Sequence, residues 1–188
     1  LFYPLIIQIM TRKKSIEALS YGINEDLPFV SIIMSVHNEE MVLVEKIRSI
    51  YFTRYPFNRF ELIIGSDAST DATNRICEVC EGNYMGFRFF PFNNRQGKPA
   101  VINRLVNEAN GDILILTDAK VFFTPETIFE LVKYFKDPGI DIVGGNILNQ
   151  KTSRDGISQQ EKAFMNREIN IKYNEGLLWG KTIGIYGA

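Results

Sequence analysis

The sequence predicts an α/β fold, an open, doubly wound, mostly parallel sheet with helices on both faces. Five short apolar runs alternate along the chain with segments of helical periodicity, an order typical of parallel strands joined by crossover helices. The runs are apolar at consecutive positions, as expected for strands covered on both faces. At 188 residues, the chain has the length of one compact domain.

The first part of the pattern predicts three strands and two helices. Residues 29–36 are nearly all β-branched or apolar and are predicted as a central parallel strand. Residues 39–52 carry apolar side chains at helical spacing, and this helix ends near Pro56. The run ELIIGS predicts a second strand, the segment STD at 69–71 offers capping residues for the next helix, and FRFFPF predicts a third strand.

The alternation continues in the second part of the chain. Residues 99–110 are predicted as a helix that opens on a proline, and DILILT is predicted as a buried strand that follows Gly111. Thr124 and Pro125 supply an N-cap and a first-turn proline for a helix that runs to about Lys136.

Beyond this helix the pattern weakens. The run IDIVGGNIL, residues 140–148, predicts one more strand. Residues 157–173 mix apolar and charged side chains and predict a helix, and the segment up to residue 179 either packs on the domain or rests on a membrane surface. The end, GLLWGKTIGIYGA, is glycine-rich and has no closing signal, so we expect the sequence to stop inside or just after a loop of a longer protein.

The N-terminus combines an apolar run, LFYPLIIQIM, with a basic cluster, TRKK. The run is too short to span a bilayer, and the basic cluster is typical of the cytoplasmic side of a membrane helix. We interpret residues 1–28 as the cytoplasmic end of a transmembrane helix plus a linker, and residues 29–188 as the folded domain. The alternative is an ordinary N-terminal helix packed on the domain.

Charge and cysteine content exclude two classes of function. With 21 basic and 22 acidic residues, the net charge of -1 offers no patch for a nucleic-acid backbone, so nucleic acid is not expected as a partner. Cys77 and Cys80 are the only cysteines, fall on one face of a predicted helix, and belong to no zinc-type quartet. They are expected to be free thiols in a reducing compartment.

Four polar segments follow predicted strands, where doubly wound sheets bind ligands. They are SVHNEE at 35–40, SDASTD at 66–71, NNRQGK at 93–98 and TDAK at 117–120. The third brings two cations and a glycine to a helix N-terminus, which suits a phosphate group. Each segment taken alone has the composition of a cap or turn, so the prediction of a site depends on all four occurring together.

Several familiar active sites do not match. Lys98 is followed by Pro99, so there is no G-x-x-x-x-G-K-[ST] phosphate loop, and no G-x-G-x-x-G follows a strand. No serine lies in a G-x-S-x-G elbow, and His37 is the only histidine. These observations exclude P-loop enzymes, dinucleotide oxidoreductases and Ser-His hydrolases.

Three segments together resemble the inverting GT-A glycosyltransferases of family 2, especially the membrane-bound polysaccharide synthases. VSIIMSVHNEE resembles the opening strand and N-E turn of that family, and IIGSDASTDAT resembles its D-D-G-S-T-D loop. NNRQGKPAVINRLVNEANGDILILTDAK resembles its G-K-x-x-A-L-N helix and D-x-D strand. The resemblance covers residues 29–188 and implies the Rossmann-like GT-A fold.

The resemblance also implies roles for individual residues. Asp67 would accept a hydrogen bond from the uracil ring of a UDP-sugar, since a carboxylate suits an imide N–H. Asp118 matches the first aspartate of D-x-D, beside the ribose, the diphosphate and a Mg²⁺ or Mn²⁺ ion. The other residues implied to line the donor site are Ser35, His37, Glu39, Arg95, Lys98 and Lys120.

The sequence departs from the family pattern at three points. Ser66 and Ala68 replace the first aspartate and the glycine of D-D-G-S, which leaves Asp67 in place. Lys120 occupies the position of the last D-x-D aspartate, and an ammonium cannot bind a metal. Either Lys120 partly substitutes for the metal, with Arg95 or Lys98, or Lys120 pairs with an acid while Asp118 and phosphate oxygens hold the metal. The catalytic base and the Q-x-x-R-W motif are not found, so both are expected beyond Ala188.

The function implied is transfer of a sugar from a UDP-sugar to a glycan or lipid-linked acceptor with inversion, in polysaccharide or cell-envelope synthesis. The chain would be part of a membrane protein whose catalytic domain lies on the cytoplasmic side. A sugar-phosphate nucleotidyltransferase is an alternative, although its first loop would be glycine-rich and basic, whereas SVHNEE is acidic. A non-catalytic nucleotide-binding or interaction domain is a second alternative, favoured by Lys120.

Overall fold

The computed structural model describes residues 2–14, 18–22, 25–145, 147, 167 and 170–179. These residues form two compact units. The larger unit contains the described residues between 20 and 143, and the smaller unit contains those before 20 and after 143. The sequence-based division at residue 28 stays a prediction.

The larger unit is built on a four-stranded sheet with the order β3-β2-β1-β4, in which every neighbouring pair of strands is parallel. The strands are β1 (Val30–Val36), β2 (Phe60–Asp67), β3 (Phe87–Phe92) and β4 (Ile113–Leu116). The helices are α1 (Tyr3–Thr11) in the smaller unit and α2 (Glu40–Tyr51), α3 (Thr73–Glu81), α4 (Lys98–Glu108) and α5 (Thr127–Val132) in the larger one. Short 3-10 turns cover Phe57–Arg59 and Lys133–Lys136.

Helices lie on both faces of this sheet, although one face of β4, which was predicted to be buried, is partly exposed. The even-numbered residues of β1, including Ile32, share a core with α2, α3 and α5. On the opposite face, two odd-numbered residues, Ile33 of β1 and Ile63 of β2, contact Val101 and Leu105 of α4. This arrangement confirms the predicted α/β fold with an open, doubly wound parallel sheet.

One glycine allows α4 to lie close to the sheet. A methyl group at Gly65 would stand 2.6 Å from Val101 Cγ1 and 3.0 Å from Leu105 Cδ1, which is closer than non-bonded carbons pack. The absence of a side chain at Gly65 therefore sets the distance between α4 and β2.

Two predictions beyond β4 differ from the structure. The helix predicted from Pro125 begins at Thr127, because residues 125–126 form a turn, and it ends in a 3-10 turn. The strand predicted over residues 140–148 is wrong for its described part, 140–145 and 147, none of which is in a strand. Most of these residues are exposed and two are glycines, so they have neither a pairing partner nor the packing that would hold a strand.

The smaller unit contains α1 and a helical segment over residues 170–179. The Tyr3 hydroxyl donates a hydrogen bond of 2.6 Å to Glu175, and the Thr11 hydroxyl donates one to the side chain of Asn174. Pro4 fits α1 because it lies in the first turn, where a missing N–H costs nothing. Among the described residues, no helix is long and apolar enough to cross a membrane.

The predicted helix over 157–173 lies mostly outside the described residues. Residues 167 and 170–173 are helical. The helix continues through residue 179, the end of the segment that was predicted to pack or to rest on a membrane surface. In this segment Gly176 does not end the helix, because helical geometry is accessible to glycine at a modest entropic cost.

The two cysteines of α3 are free and buried against the sheet. Burial raises the pKa of the Cys77 thiol to about 12 and also raises that of Cys80. Thiols held in the protonated form are poor nucleophiles and poor metal ligands. Their place in α3 is structural.

Candidate functional site

The carboxyl ends of the strands bring the four predicted polar segments to one edge of the sheet. Because β1 and β2 are in parallel register, Ser35 pairs with Gly65 and the loops that follow the two strands are adjacent. The chain order also reverses between β1 and β4, which creates a crevice at the carboxyl ends of these two strands. His37 and Glu39 follow β1 at this crevice, and Asp118 follows β4.

The loops after β1 and β2 are hydrogen-bonded to each other. His37 Nδ1 lies 2.7 Å from the carbonyl oxygen of Asp67. The backbone N–H of Thr70 donates to Asn38 Oδ1 at 2.8 Å, and the N–H of Glu39 donates to Thr73 Oγ1 at 2.9 Å. His37 therefore orients the loop that carries Asp67, in addition to any contact it makes with a ligand.

Two residues of these loops hold unusual backbone angles. Asn38 and Ala68 have φ values of 53° and 55°, in the left-handed region. Asparagine tolerates this region and alanine does not favour it. The family glycine replaced by Ala68 thus corresponds to a real conformational need, and the loop keeps its shape at some cost in strain.

Asp67 is the central group of the site. The residue is 3% exposed, and its carboxylate accepts hydrogen bonds from the backbone N–H groups of Gln96, at 2.7 Å, and Gly97, at 2.9 Å. Arg95 Nε lies 3.3 Å from Asp67 Oδ2. Burial acts to raise the pKa of Asp67, but these two N–H groups and the Arg95 guanidinium hold it below its ordinary value. Asp67 is therefore ionised at neutral pH and fixes the loop before α4.

Gly97 and Lys98 join this loop to α4. Gly97 has a φ of 86°, which favours glycine, and it is the N-cap of α4, whose first residue is Lys98. The first N–H groups of a helix attract anions, so the loop fixed by Asp67 presents both a cation and a helix N-terminus at the site.

Both lysines of the site form ion pairs with acidic residues. Lys98 Nζ is bonded to Asp118 Oδ1, and Lys120 Nζ lies 3.4 Å from Glu39 Oε1. The Lys120 side chain is 73% exposed. Exposed pairs of this kind contribute about 0–1 kcal/mol, so an incoming anion can exchange these partners at little cost. The Lys120–Glu39 pair also joins the loops after β1 and β4 across the crevice.

All eight predicted site residues thus lie at or next to the carboxyl edge, and most of them contact each other. Within the described part of the chain, no group of three or more histidine, cysteine, aspartate and glutamate residues could hold a metal. Asp118 offers a single carboxylate. Mg²⁺-type ions are commonly bound by one or two protein carboxylates together with phosphate oxygens and water, so Asp118 fits such an ion when a diphosphate is present.

Two contributors to the site were not predicted from the sequence. The backbone of Gln96 holds Asp67, and a backbone donor leaves no trace in residue type. Lys46 of α2 is fully buried and donates a hydrogen bond of 2.9 Å to Thr117 Oγ1. The sequence does carry a signal for Lys46. It lies three residues after Leu43, so helical spacing places a charged residue on the apolar face of α2.

The fold and this edge define an α/β protein that presents two lysines and a helix N-terminus, groups that bind anions, at the reversal point of its sheet. The family model described as glycosyl transferase family 2 matches residues 31–187. The chain therefore belongs to glycosyl transferase family 2. This confirms the family resemblance inferred from the three sequence segments.

Curated relatives are glycosyltransferases from archaea and bacteria. The chain is 26% identical to glycosyltransferase AglE of Haloferax volcanii over 85% of its own length and 52% of AglE. It is 30% identical to the undecaprenyl-phosphate 4-deoxy-4-formamido-L-arabinose transferase of Proteus mirabilis, over 87% of this chain and 48% of the relative. The chain thus spans about half the length of these relatives.

Solved structures share the GT-A fold with this chain. The mannosyltransferase PcManGT of Pyrobaculum calidifontis, solved in complex with GDP-Man and Mn²⁺, matches 94% of this chain and 48% of its own, with a TM-score of 0.74 and 24% identity. Staphylococcus aureus TarS in complex with UDP-GlcNAc matches 54% of this chain and 29% of its own, with a TM-score of 0.51 and 24% identity. At this level of identity, the matches establish the fold.

Proposed function

We propose that this chain is the donor-binding part of an enzyme that transfers a sugar from a nucleotide-sugar, UDP-linked in the first instance, to a glycan or lipid-linked acceptor with inversion. The observation that carries the proposal is the crevice between β1 and β4, where Asp67 fixes the loop that presents Lys98 and the N-terminus of α4. A diphosphate suits this arrangement, because cations and helix N–H groups bind phosphate oxygens.

The comparisons support the proposal at the level of the substrate class. The structural relatives were solved with GDP-Man or UDP-GlcNAc, and one curated relative acts on undecaprenyl phosphate, a lipid carrier. For this chain, UDP follows from the predicted contact of Asp67 with uracil. Family membership weighs against the nucleotidyltransferase alternative. The non-catalytic alternative is tested by sugar transfer with the full-length enzyme.

The proposed reaction balances as a single displacement. The acceptor hydroxyl oxygen bonds to the anomeric carbon, the bond from that carbon to the diphosphate breaks, and the nucleoside diphosphate leaves with the electron pair. The hydroxyl proton passes to the catalytic base that the family resemblance implies. The negative charge that develops on the diphosphate needs stabilisation, which Lys98 and the N-terminus of α4 are placed to provide.

A divalent ion, when bound, would add Lewis-acid stabilisation of the departing diphosphate. Asp118 is the described residue that would hold it. The ion pair of Lys120 with Glu39 supports the version in which Asp118 and phosphate oxygens bind the metal. In the competing version, Lys120 leaves Glu39 and binds the diphosphate in place of the metal.

Calorimetric titration tests both the site and its metal dependence. UDP, GDP and ADP are titrated into the protein with EDTA and then with Mn²⁺, and we expect UDP to bind selectively and more tightly with Mn²⁺. Lys120→Asp restores the second D-x-D carboxylate and should increase the gain from Mn²⁺, whereas Lys136→Gln, which removes an exposed lysine paired with Glu25, should not. Equal UDP affinity in EDTA and Mn²⁺ would reject the metal version, and no binding of any nucleotide would reject the donor site.

Loss of UDP binding in Asp67→Ala would not by itself identify the uracil contact. The same substitution releases Gln96 and Gly97 from their hydrogen bonds and so disturbs the loop before α4. Selectivity among UDP, GDP and ADP is the better readout, because a disturbed loop weakens all three nucleotides, whereas a lost base contact weakens UDP alone.

We also propose that the smaller unit meets the membrane, with the catalytic domain on the cytoplasmic side. Five apolar side chains of its N-terminal part are exposed, namely Phe2, Leu5, Ile6, Ile9 and Met10. The exposed Arg12, Lys13 and Lys14 follow at once, and this combination suits an anionic lipid surface.

Cosedimentation with vesicles tests this proposal. The protein should bind vesicles of phosphatidylcholine and phosphatidylglycerol more strongly than vesicles of phosphatidylcholine alone. The double variant Ile6→Ser and Ile9→Ser should bind less, while Met41→Ser, which removes an 88% exposed apolar side chain of α2, should not. Equal binding by all three proteins would contradict the assignment of the surface.

A further inference from the structure

Lys46 is a charged side chain in the core of the protein. It lies on α2 among Leu43, Ile47 and Ile50, and all four are fully buried. Taking an ammonium out of water costs several kcal/mol unless nearby polar groups compensate, so a lysine here is less favourable for packing than an apolar residue of similar size.

The ammonium group of Lys46 is bound by the loop that follows β4. Nζ donates a hydrogen bond of 2.9 Å to Thr117 Oγ1 and another to the carbonyl oxygen of Val121. It also lies 3.9 Å from the centroid of the Phe123 ring, which favours the cation. Burial lowers the pKa of Lys46, and the negative charge of Asp118 partly offsets this effect.

These contacts flank the two charged residues that the loop brings to the donor site. Thr117 directly precedes Asp118, and Val121 directly follows Lys120, so Lys46 fixes the loop on both sides of this pair. A second attachment to α2, from the N–H of Phe123 to Ser49 Oγ at 3.2 Å, lies further along the loop. Lys46 is therefore a contact between α2 and residues 117–121 themselves.

We propose that Lys46 is a positioning residue of the donor site, whose ammonium holds residues 117–121 so that Asp118 faces the nucleotide diphosphate. The inference rests on the proposed donor-binding function. Lys46 does not touch the donor; it acts through Thr117 and Val121.

Lys46→Met tests the proposal, since methionine keeps the apolar stem and removes the ammonium. Cys77→Ala is the matched control, because it removes a buried side chain from the same core at α3, which packs against β3 rather than β4. Thr117→Val removes one hydrogen-bond partner of Lys46 and keeps the shape of the side chain at residue 117. This second variant is used for the test if Lys46→Met does not fold.

Two measurements on the whole chain separate positioning from stability alone. Amide hydrogen exchange of residues 117–123 should speed up in Lys46→Met and Thr117→Val and remain as in the wild type in Cys77→Ala. At pH 6, where Lys46 of the folded protein carries its proton, the dissociation constant for UDP with Mn²⁺ should rise about tenfold in Lys46→Met, the size expected when a hydrogen bond to a charged group is lost. In Cys77→Ala it should change by less than about twofold.

Either result can overturn the proposal. Unchanged exchange of residues 117–123 in folded Lys46→Met would show that the ammonium does not hold the loop. Faster exchange with an unchanged UDP dissociation constant would show that the held loop does not serve the donor site. If the wild type binds no nucleotide, the proposed function fails, and exchange alone still decides whether Lys46 positions the loop.

Discussion

Asp67→Asn is the substitution that most directly tests how the site is held together. An asparagine side chain has one oxygen and one NH₂ group, so it can accept a hydrogen bond from Gln96 or from Gly97, but not from both. Its NH₂ group would face the second backbone N–H, which leaves two donors opposed. The ion pair with Arg95 is lost as well.

The size of the effect follows from these contacts. A hydrogen bond to a charged group contributes about 1.5–3 kcal/mol, and Arg95, which is 63% exposed, adds less than about 1 kcal/mol. We therefore expect Asp67→Asn to lower the free energy of unfolding by about 3 kcal/mol at neutral pH. Urea denaturation followed by circular dichroism measures this, with Asp26→Asn as a control on an exposed ion pair.

The effect should also depend on pH in a defined direction. Because the folded-state pKa of Asp67 is lowered, its contribution is fully present above the unfolded value of about 3.9 and is lost as the pH falls through the folded pKa. The difference between the wild type and Asp67→Asn should shrink in that acidic range. A loss of less than about 1 kcal/mol at pH 7, or a difference that does not shrink in acid, would refute the assignment of Asp67 as the anchor of the loop.

Three further substitutions test other parts of the structure by the same denaturation assay. Burial lowers the pKa of Lys46 to about 7, so between about pH 6.5 and 8.5 the folded state loses a proton that the unfolded state keeps. Wild-type stability should then rise by about 2 kcal/mol relative to Lys46→Met, and a parallel pH dependence of the two proteins would contradict this. Gly65→Ala should lower the free energy of unfolding by about 1–3 kcal/mol, since its methyl group would overlap Val101. A variant as stable as the wild type would disprove the close approach of α4. Ala68→Gly should gain about 0.5 kcal/mol by relieving a left-handed backbone, and a loss of that size would argue against strain at this residue.

The sheet and the edge that carries the site could be predicted from the sequence because their signals are local. A run such as VSIIMSV must be covered on both faces, which makes it a central parallel strand, and the carboxyl ends of parallel strands meet at one edge. The third strand was predicted at the residues where the structure has it. Placing Asp67 and Asp118 at this edge needed no knowledge of their contacts.

The parts that could not be predicted depend on contacts between distant residues. Nothing in the local sequence shows that Asp67 binds the backbone 29 and 30 residues further on, or that Lys46 binds Thr117, 71 residues away. The run at 140–148 failed for a related reason. Its residue types suit a strand, but a strand also needs a neighbour, and its described residues have none.

The placement of β1 in the middle of the sheet has a consequence for synthesis of the protein. Its two neighbours in the sheet, β2 and β4, come later in the chain, and β1 pairs with both of them. At a synthesis rate of about 5–20 residues per second, the uncharged segment of β1 is exposed for on the order of ten seconds before β4 emerges from the ribosome. During that interval it is a template for aggregation, so we expect a nascent chain halted before residue 113 to depend on chaperones.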